Sequence, residues 1–253
     1  MPEVNVENVR VVVEGELRGD GVPIIAMHGA GGGAYLWRLM REPLGLNAPL
    51  LAVDLPGHGA SEGDGYSSVA DYLRVVRGIA KGLGAKRPIA MGNSMGGAIA
   101  LDWALNYPDE LSGLVLVGTG ARLRVKPAIF DSINENYQGY LQGLEKVAFG
   151  PNPPQEGMKI AQENANSATP DTTFNDFKAC DNFDIMEDLS KIHLPTLVLC
   201  GDADLLTPIK YSEYLERVMP RAQLKVFPGA GHMLPLERPR QAADAIIEWL
   251  KSV

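Results

Sequence analysis

The chain has 253 residues, 45% of them hydrophobic and 21% charged, proportions of a soluble globular protein that exclude the disordered and fibrous classes. A formal charge of −8, with lysines and arginines scattered rather than clustered, excludes a general nucleic-acid-binding surface. Two cysteines, Cys180 and Cys200, are too few for a disulfide framework and lack metal-ligand spacing, so two free thiols in a reducing cytoplasm are expected.

The chain starts without a basic-then-apolar leader, and no apolar stretch is long enough to span a bilayer, which predicts a soluble, cytoplasmic protein with no membrane span. Residues 4–17 alternate apolar and polar side chains and predict one or two antiparallel strands wet on one face. After the turn Gly19-Asp20-Gly21, short apolar runs recur at 23–27, 49–53, 88–91, 114–117 and 196–200, as in strands buried on both faces of a parallel sheet. Helical spacing fills the gaps at 69–83, 95–106, 211–218 and 241–250. Strand–helix alternation of this kind gives an α/β fold.

Residues 122–192 break the rhythm. They contain no buried-strand run, and two or three helices are predicted around 127–149, 155–167 and 171–189, split by Gly150-Pro151-Asn152-Pro153-Pro154. A stretch of about seventy residues exceeds one crossover, so the segment reads as a helical cap, with residues 1–121 and 193–253 forming the core domain.

The chemistry-bearing signal is Gly92-Asn93-Ser94-Met95-Gly96, which follows an apolar run and precedes a helix rich in small residues. A serine at the tip of a sharp strand-to-helix turn projects Oγ from the carboxyl edge of the sheet, and the flanking glycines permit the close strand–helix approach. A hydroxyl needs a base within reach. Of the four histidines, His28 and His58 lie in early glycine-rich loops, and His193 stands at a strand entry, the wrong edge for catalysis. His232, in Gly229-Ala230-Gly231-His232-Met233 after the apolar run 224–227, is the base that position favours. In Gly201-Asp202-Ala203-Asp204, Asp204 reaches farther into its loop and is the acid expected to orient His232, while Asp202 shapes the turn. Residues 118–121 after the preceding strand offer no carboxylate. The oxyanion is expected to meet the backbone N–H groups of Met95 and, from His28-Gly29-Ala30-Gly31-Gly32-Gly33, of Ala30. No Gly-Lys-Ser/Thr or dinucleotide fingerprint follows that loop, which argues against phosphate binding. Gly29, Gly31, Trp37 and Met233 are candidate substrate-binding residues, with Met95 a further wall. No cofactor and no metal site is expected.

His28-Gly29-Ala30-Gly31, Asp54-Leu55-Pro56-Gly57-His58-Gly59-Ala60-Ser61, residues 92–97, 201–208 and 229–232 together resemble the α/β-hydrolase superfamily over nearly the whole chain. The resemblance implies a mostly parallel eight-stranded sheet flanked by helices, a cap inserted after strand 6, and cofactor-free ester or related acyl-transfer hydrolysis. The Gly-Asn-Ser-Met-Gly-Gly segment also resembles carbon–carbon hydrolases of aromatic degradation. Those enzymes bind a dienoate carboxylate, usually with a cap arginine, whereas residues 125–192 contain no arginine, and they commonly carry Trp where this chain has Met233. Epoxide hydrolases and haloalkane dehalogenases of this fold would need Asp at position 94. The expectation is a serine carboxylesterase acting on small to medium neutral esters. A carbon–carbon hydrolase or a cofactor-free perhydrolase or haloperoxidase-like activity is the alternative, and no feature sets the oligomeric state.

Overall fold

The computed structural model describes residues 2–253. Two N-terminal strands, β1 (Glu3–Val6) and β2 (Val9–Glu14), form an antiparallel hairpin, as their alternation predicts. The buried apolar runs become β3 (Ile24–Met27), β4 (Leu50–Val53), β5 (Ile89–Asn93), β6 (Gly113–Val117) and β7 (Thr196–Gly201). The chain adds β8 (Ala222–Phe227) at the far edge, where the exposure of its residues alternates. The strands make one eight-stranded sheet of order β1-β2-β4-β3-β5-β6-β7-β8, parallel from β4 to β8.

A 3-10 turn (Ala34–Met40) runs into α1 (Arg41–Leu44) after β3. Helices α2 (Val69–Gly82) and α3 (Met95–Asn106) follow β4 and β5. Val69, Leu73, Val76 and Ile79 of α2 recur at three- and four-residue spacing and are all buried against one face of the sheet.

Between β6 and β7 lie α4 (Pro127–Glu135), α5 (Tyr137–Ala148), α6 (Gln155–Glu163) and α7 (Pro170–Asn182). The sequence predicts one helix over 127–149, but the structure breaks it at Asn136 (φ −154°), whose side-chain oxygen accepts from Gly139 N–H at 2.9 Å. That amide is an orphan of the first turn of α5, and the asparagine side chain replaces the carbonyl partner it would have in an uninterrupted helix. The helix predicted over 171–189 likewise stops at Asn182, before an extended Phe183. After β7 come α8 (Lys210–Val218), then α9 (Leu234–Glu237) and α10 (Pro239–Leu250), which covers the opposite face of the sheet.

Candidate active site

Three loops at the carboxyl edge of the sheet bring the predicted residues together. Ser94 links β5 directly to α3 at φ 53°, ψ −116°, a conformation that costs a non-glycine residue free energy of order 1–3 kcal/mol. The surroundings hold it there. Ser94 N–H donates to Val117 O at 3.0 Å, and the Thr119 hydroxyl donates to Ser94 O at 2.7 Å. A β-carbon on Gly96 would lie 2.2 Å from Met27 O, so only glycine lets α3 cross β3 this closely.

The Asp204 carboxylate is almost completely enclosed. Its Oδ1 accepts from Leu206 N–H (2.9 Å) and Thr207 N–H (2.8 Å), and its Oδ2 accepts from the Thr207 hydroxyl (2.7 Å) and His232 Nδ1 (2.8 Å). Burial alone would raise the Asp204 pKa, but the charge and hydrogen bond of His232, with the Thr207 donors, turn the net shift downward. Asp204 is the acid that meets His232; Asp202 instead accepts from Gly229 N–H at 2.6 Å and braces the histidine loop.

His232 is pinned from several sides. Its N–H donates to Ala148 O at the end of α5 (2.8 Å), its carbonyl accepts from Asn93 Nδ2 (3.3 Å), and Gly231 N–H donates to buried Glu237 Oε1 (2.9 Å). The hydrogen bonds of its ring all run through Nδ1, which leaves Nε2 free. Ser94 and His232 line the same cavity, and among the described residues no hydrogen bond joins them.

The glycine loop passes directly over the serine, for a β-carbon on Gly29 would stand 3.1 Å from Ser94 Cβ. Gly29 O accepts from Gly32 N–H (3.1 Å) and His28 Nδ1 (2.8 Å). His28 Nε2 accepts from Leu55 N–H at 3.1 Å, so the proton of this ring sits on Nδ1. Burial, with His58 beside it, pushes the pKa of His28 well down and keeps the ring neutral. In a planar trans peptide the N–H of Ala30 points opposite to the carbonyl of Gly29. Ala30 N–H therefore points away from the two donors that Gly29 O accepts from. Met95 N–H is the first amide of α3 and has no acceptor within its helix.

These groups surround a cavity of about 380 Å³ that Gly29, Ala30, Gly31 and Met233 line, with Leu141, Leu144 and Phe149 supplying apolar wall. Trp37 is not part of it. The 3-10 turn carries its side chain, 0% exposed, into the core against the sheet, and Tyr35 and Leu36 line the cavity instead. The Met95 side chain is likewise core, not wall. Cys180 lines the cavity from α7; Cys180 and Cys200 are both free and buried. Arg122 and Arg124, just before the arginine-free stretch, also reach the cavity, but Asp184 Oδ2 lies 2.7 Å from Arg122 Nε and 3.6 Å from Arg124 Nη2. Asp184 offsets one of these two charges.

His193 is exposed, as its position predicts. Asn93, Thr207 and Glu237 escape the sequence reading, although Asn93 and Thr207 sit inside its motifs; their roles depend on contacts between loops. Among the described residues no group of three or more His, Cys, Asp and Glu side chains is placed to hold a metal ion, and no helix is long and apolar enough to cross a membrane.

This strand order, with a strained serine after β5, an acid loop after β7 and a histidine loop after β8, defines an α/β-hydrolase enzyme. Residues 24–245 match the model of the alpha/beta hydrolase family, and the chain belongs to that family. It is 29% identical over 247 residues to Lipase 3 of Moraxella sp. (strain TA144), covering 88% of this chain and 76% of that protein. It is 27% identical over 223 residues to a pimeloyl-[acyl-carrier protein] methyl ester esterase of Neisseria meningitidis serogroup B, covering 83% and 85%. The structure of a thermophilic esterase from Thermogutta terrifontis superposes with a TM-score of 0.88 at 25% identity, over 99% of this chain and 98% of that one.

Proposed function

We propose that the protein is a carboxylesterase in which Ser94 is the nucleophile, His232 the general base and Asp204 the acid that orients it. The observation that carries this reading is the 2.8 Å bond from His232 Nδ1 to the Asp204 carboxylate, which fixes the tautomer whose free Nε2 can accept a proton in the cavity Ser94 lines. The Ser94–His232 hydrogen bond then forms as substrate fills the cavity, a tightening common to hydrolytic sites that are loose when empty.

As Ser94 Oγ bonds to the ester carbonyl carbon, its proton passes to His232 Nε2 and the carbonyl electron pair moves onto oxygen. The N–H groups of Ala30 and Met95 receive that oxyanion, each donor contributing about 3–4 kcal/mol to the transition state. Collapse breaks the bond to the alkoxy oxygen, which takes the proton from His232 and leaves as alcohol. Water then attacks the acyl-enzyme, gives its proton to His232, and the carboxylic acid departs as Ser94 regains its hydrogen.

The mainly apolar wall favours a small to medium neutral ester, and kinship with proteins named lipase and methyl ester esterase favours the ester bond itself. The helices between β6 and β7 act as the cap over residues 122–192. A p-nitrophenyl ester series tests the proposal beside a dienoate carbon–carbon substrate. Ester turnover that disappears in Ser94→Ala is the expected result; turnover of the dienoate alone, or full activity in Ser94→Ala, would overturn it.

A further inference from the structure

Asp176 of α7 is 0% exposed, and its contacts reach outside the cap helices. Its Oδ2 accepts from Gly31 N–H at 2.7 Å and from His58 Nε2 at 2.8 Å, while its Oδ1 accepts from the Tyr72 hydroxyl. Both ring nitrogens of His58 face acceptors, Nδ1 lying 3.0 Å from Pro56 O, so both carry protons and the ring is an imidazolium. The result is a dry ion pair between cap and core, with both side chains 0% exposed. Desolvating two charges is costly, and a pair like this is a weak source of stability in itself.

The Gly31 donor points to what the pair is for. Gly31 follows Ala30, sits at φ +66° and packs against Thr173 of α7. Gly29 O is held from the core by His28 and Gly32, whereas Gly31 N–H is held from the cap by Asp176. The two peptide planes flanking Ala30 are thus clamped from opposite sides. We propose that Asp176 is a positioning residue that couples seating of the cap to assembly of the oxyanion site: α7 must be docked for Gly31, and hence Ala30 N–H, to be set for the transition state. This rests on the reading of Ala30 as an oxyanion donor. The ion pair with His58 fixes the carboxylate direction that Gly31 requires.

The test compares wild type, Asp176→Asn and Tyr72→Phe by kcat, KM, Tm and the inhibition constant of butaneboronic acid, whose tetrahedral serine adduct places an oxygen in the oxyanion site. Asp176→Asn is expected to lower kcat by about 10–100-fold, the scale of a displaced donor, with KM within about twofold and boronate affinity weakened in step. Tyr72→Phe, which strips a donor from the other carboxylate oxygen, is expected to lower Tm but hold kcat within about twofold. Should Asp176→Asn not fold, His58→Gln keeps a donor toward Asp176 while removing its charge, and the same selective loss of kcat is expected at about threefold to tenfold. Folded Asp176→Asn or His58→Gln with unaltered kcat and boronate affinity would overturn the proposal, as would a change in KM alone. Full ester activity in Ser94→Ala would instead sink the esterase reading beneath it, and the inference with it.

Discussion

His232 and Asp204, on loops that follow β8 and β7, meet through a 2.8 Å hydrogen bond that presses against a third loop at Gly118. Gly118 has φ +50°, and a β-carbon there would lie 3.0 Å from Asp204 Oδ2 and 3.2 Å from His232 Nδ1. Gly118→Ala therefore adds left-handed strain of about 1–2 kcal/mol and pushes the pair apart. Ester kcat is expected to fall at least about tenfold, a larger proportional effect than any change in KM. Steady-state kinetics on the purified variant check this.

Removing the charge at position 204 separates orientation from geometry. Asp204→Asn leaves the shape but presents the wrong partner to Nδ1, and kcat is expected to drop by up to about 10⁴-fold. The folded pKa of Asp204 is depressed, so the stability this group contributes is present above its unfolded value and is lost as pH falls through the lower folded value. Thermal melts between about pH 5 and pH 2 should show wild type losing its advantage over Asp204→Asn as acid is added.

The buried His58 behaves in the opposite sense. Desolvation would lower its pKa, but the facing Asp176 carboxylate outweighs burial and raises it, with neutral His28 and Tyr72 completing its surroundings. A raised folded pKa means stability fully present below about pH 6.5 and lost as pH rises through the folded value. The Tm gap between wild type and His58→Gln is expected to narrow between about pH 6 and pH 9.

Glu237 holds two amides from two segments, Gly150 N–H on Oε2 and Gly231 N–H on Oε1, each at 2.9 Å. Glu237→Ala strands both donors in a buried site, a loss of about 2–4 kcal/mol, and frees the residue before His232. Chemical denaturation should show the stability loss, and kcat should fall with it.

Much of this was legible in the chain because strand burial and the sharp turn at Ser94 are local. Apolar runs such as 114–117 and 196–200 announce strands buried on both faces, and a serine between glycines at a strand–helix junction announces its own backbone. Asp204 could be chosen over Asp202 by reach alone. Trp37 misled because a 3-10 turn, not its distance from the glycine loop, decides which side chain faces the cavity. Asp176 leaves no local trace; it sits in a polar helix and gains its meaning only when α7 meets Gly31 and His58. The break at Asn136 is intermediate, a cap residue inside a run with helical spacing.

The esterase account is tested most directly by treating the intact protein with a fluorophosphonate and locating the adduct by peptide mass spectrometry. The account predicts rapid modification on the peptide that carries Ser94, markedly slower modification in His232→Ala, and none at that peptide in Ser94→Ala. Equal labelling of wild type and Ser94→Ala, or a wild type that hydrolyses esters while Ser94 stays unmodified, would contradict it.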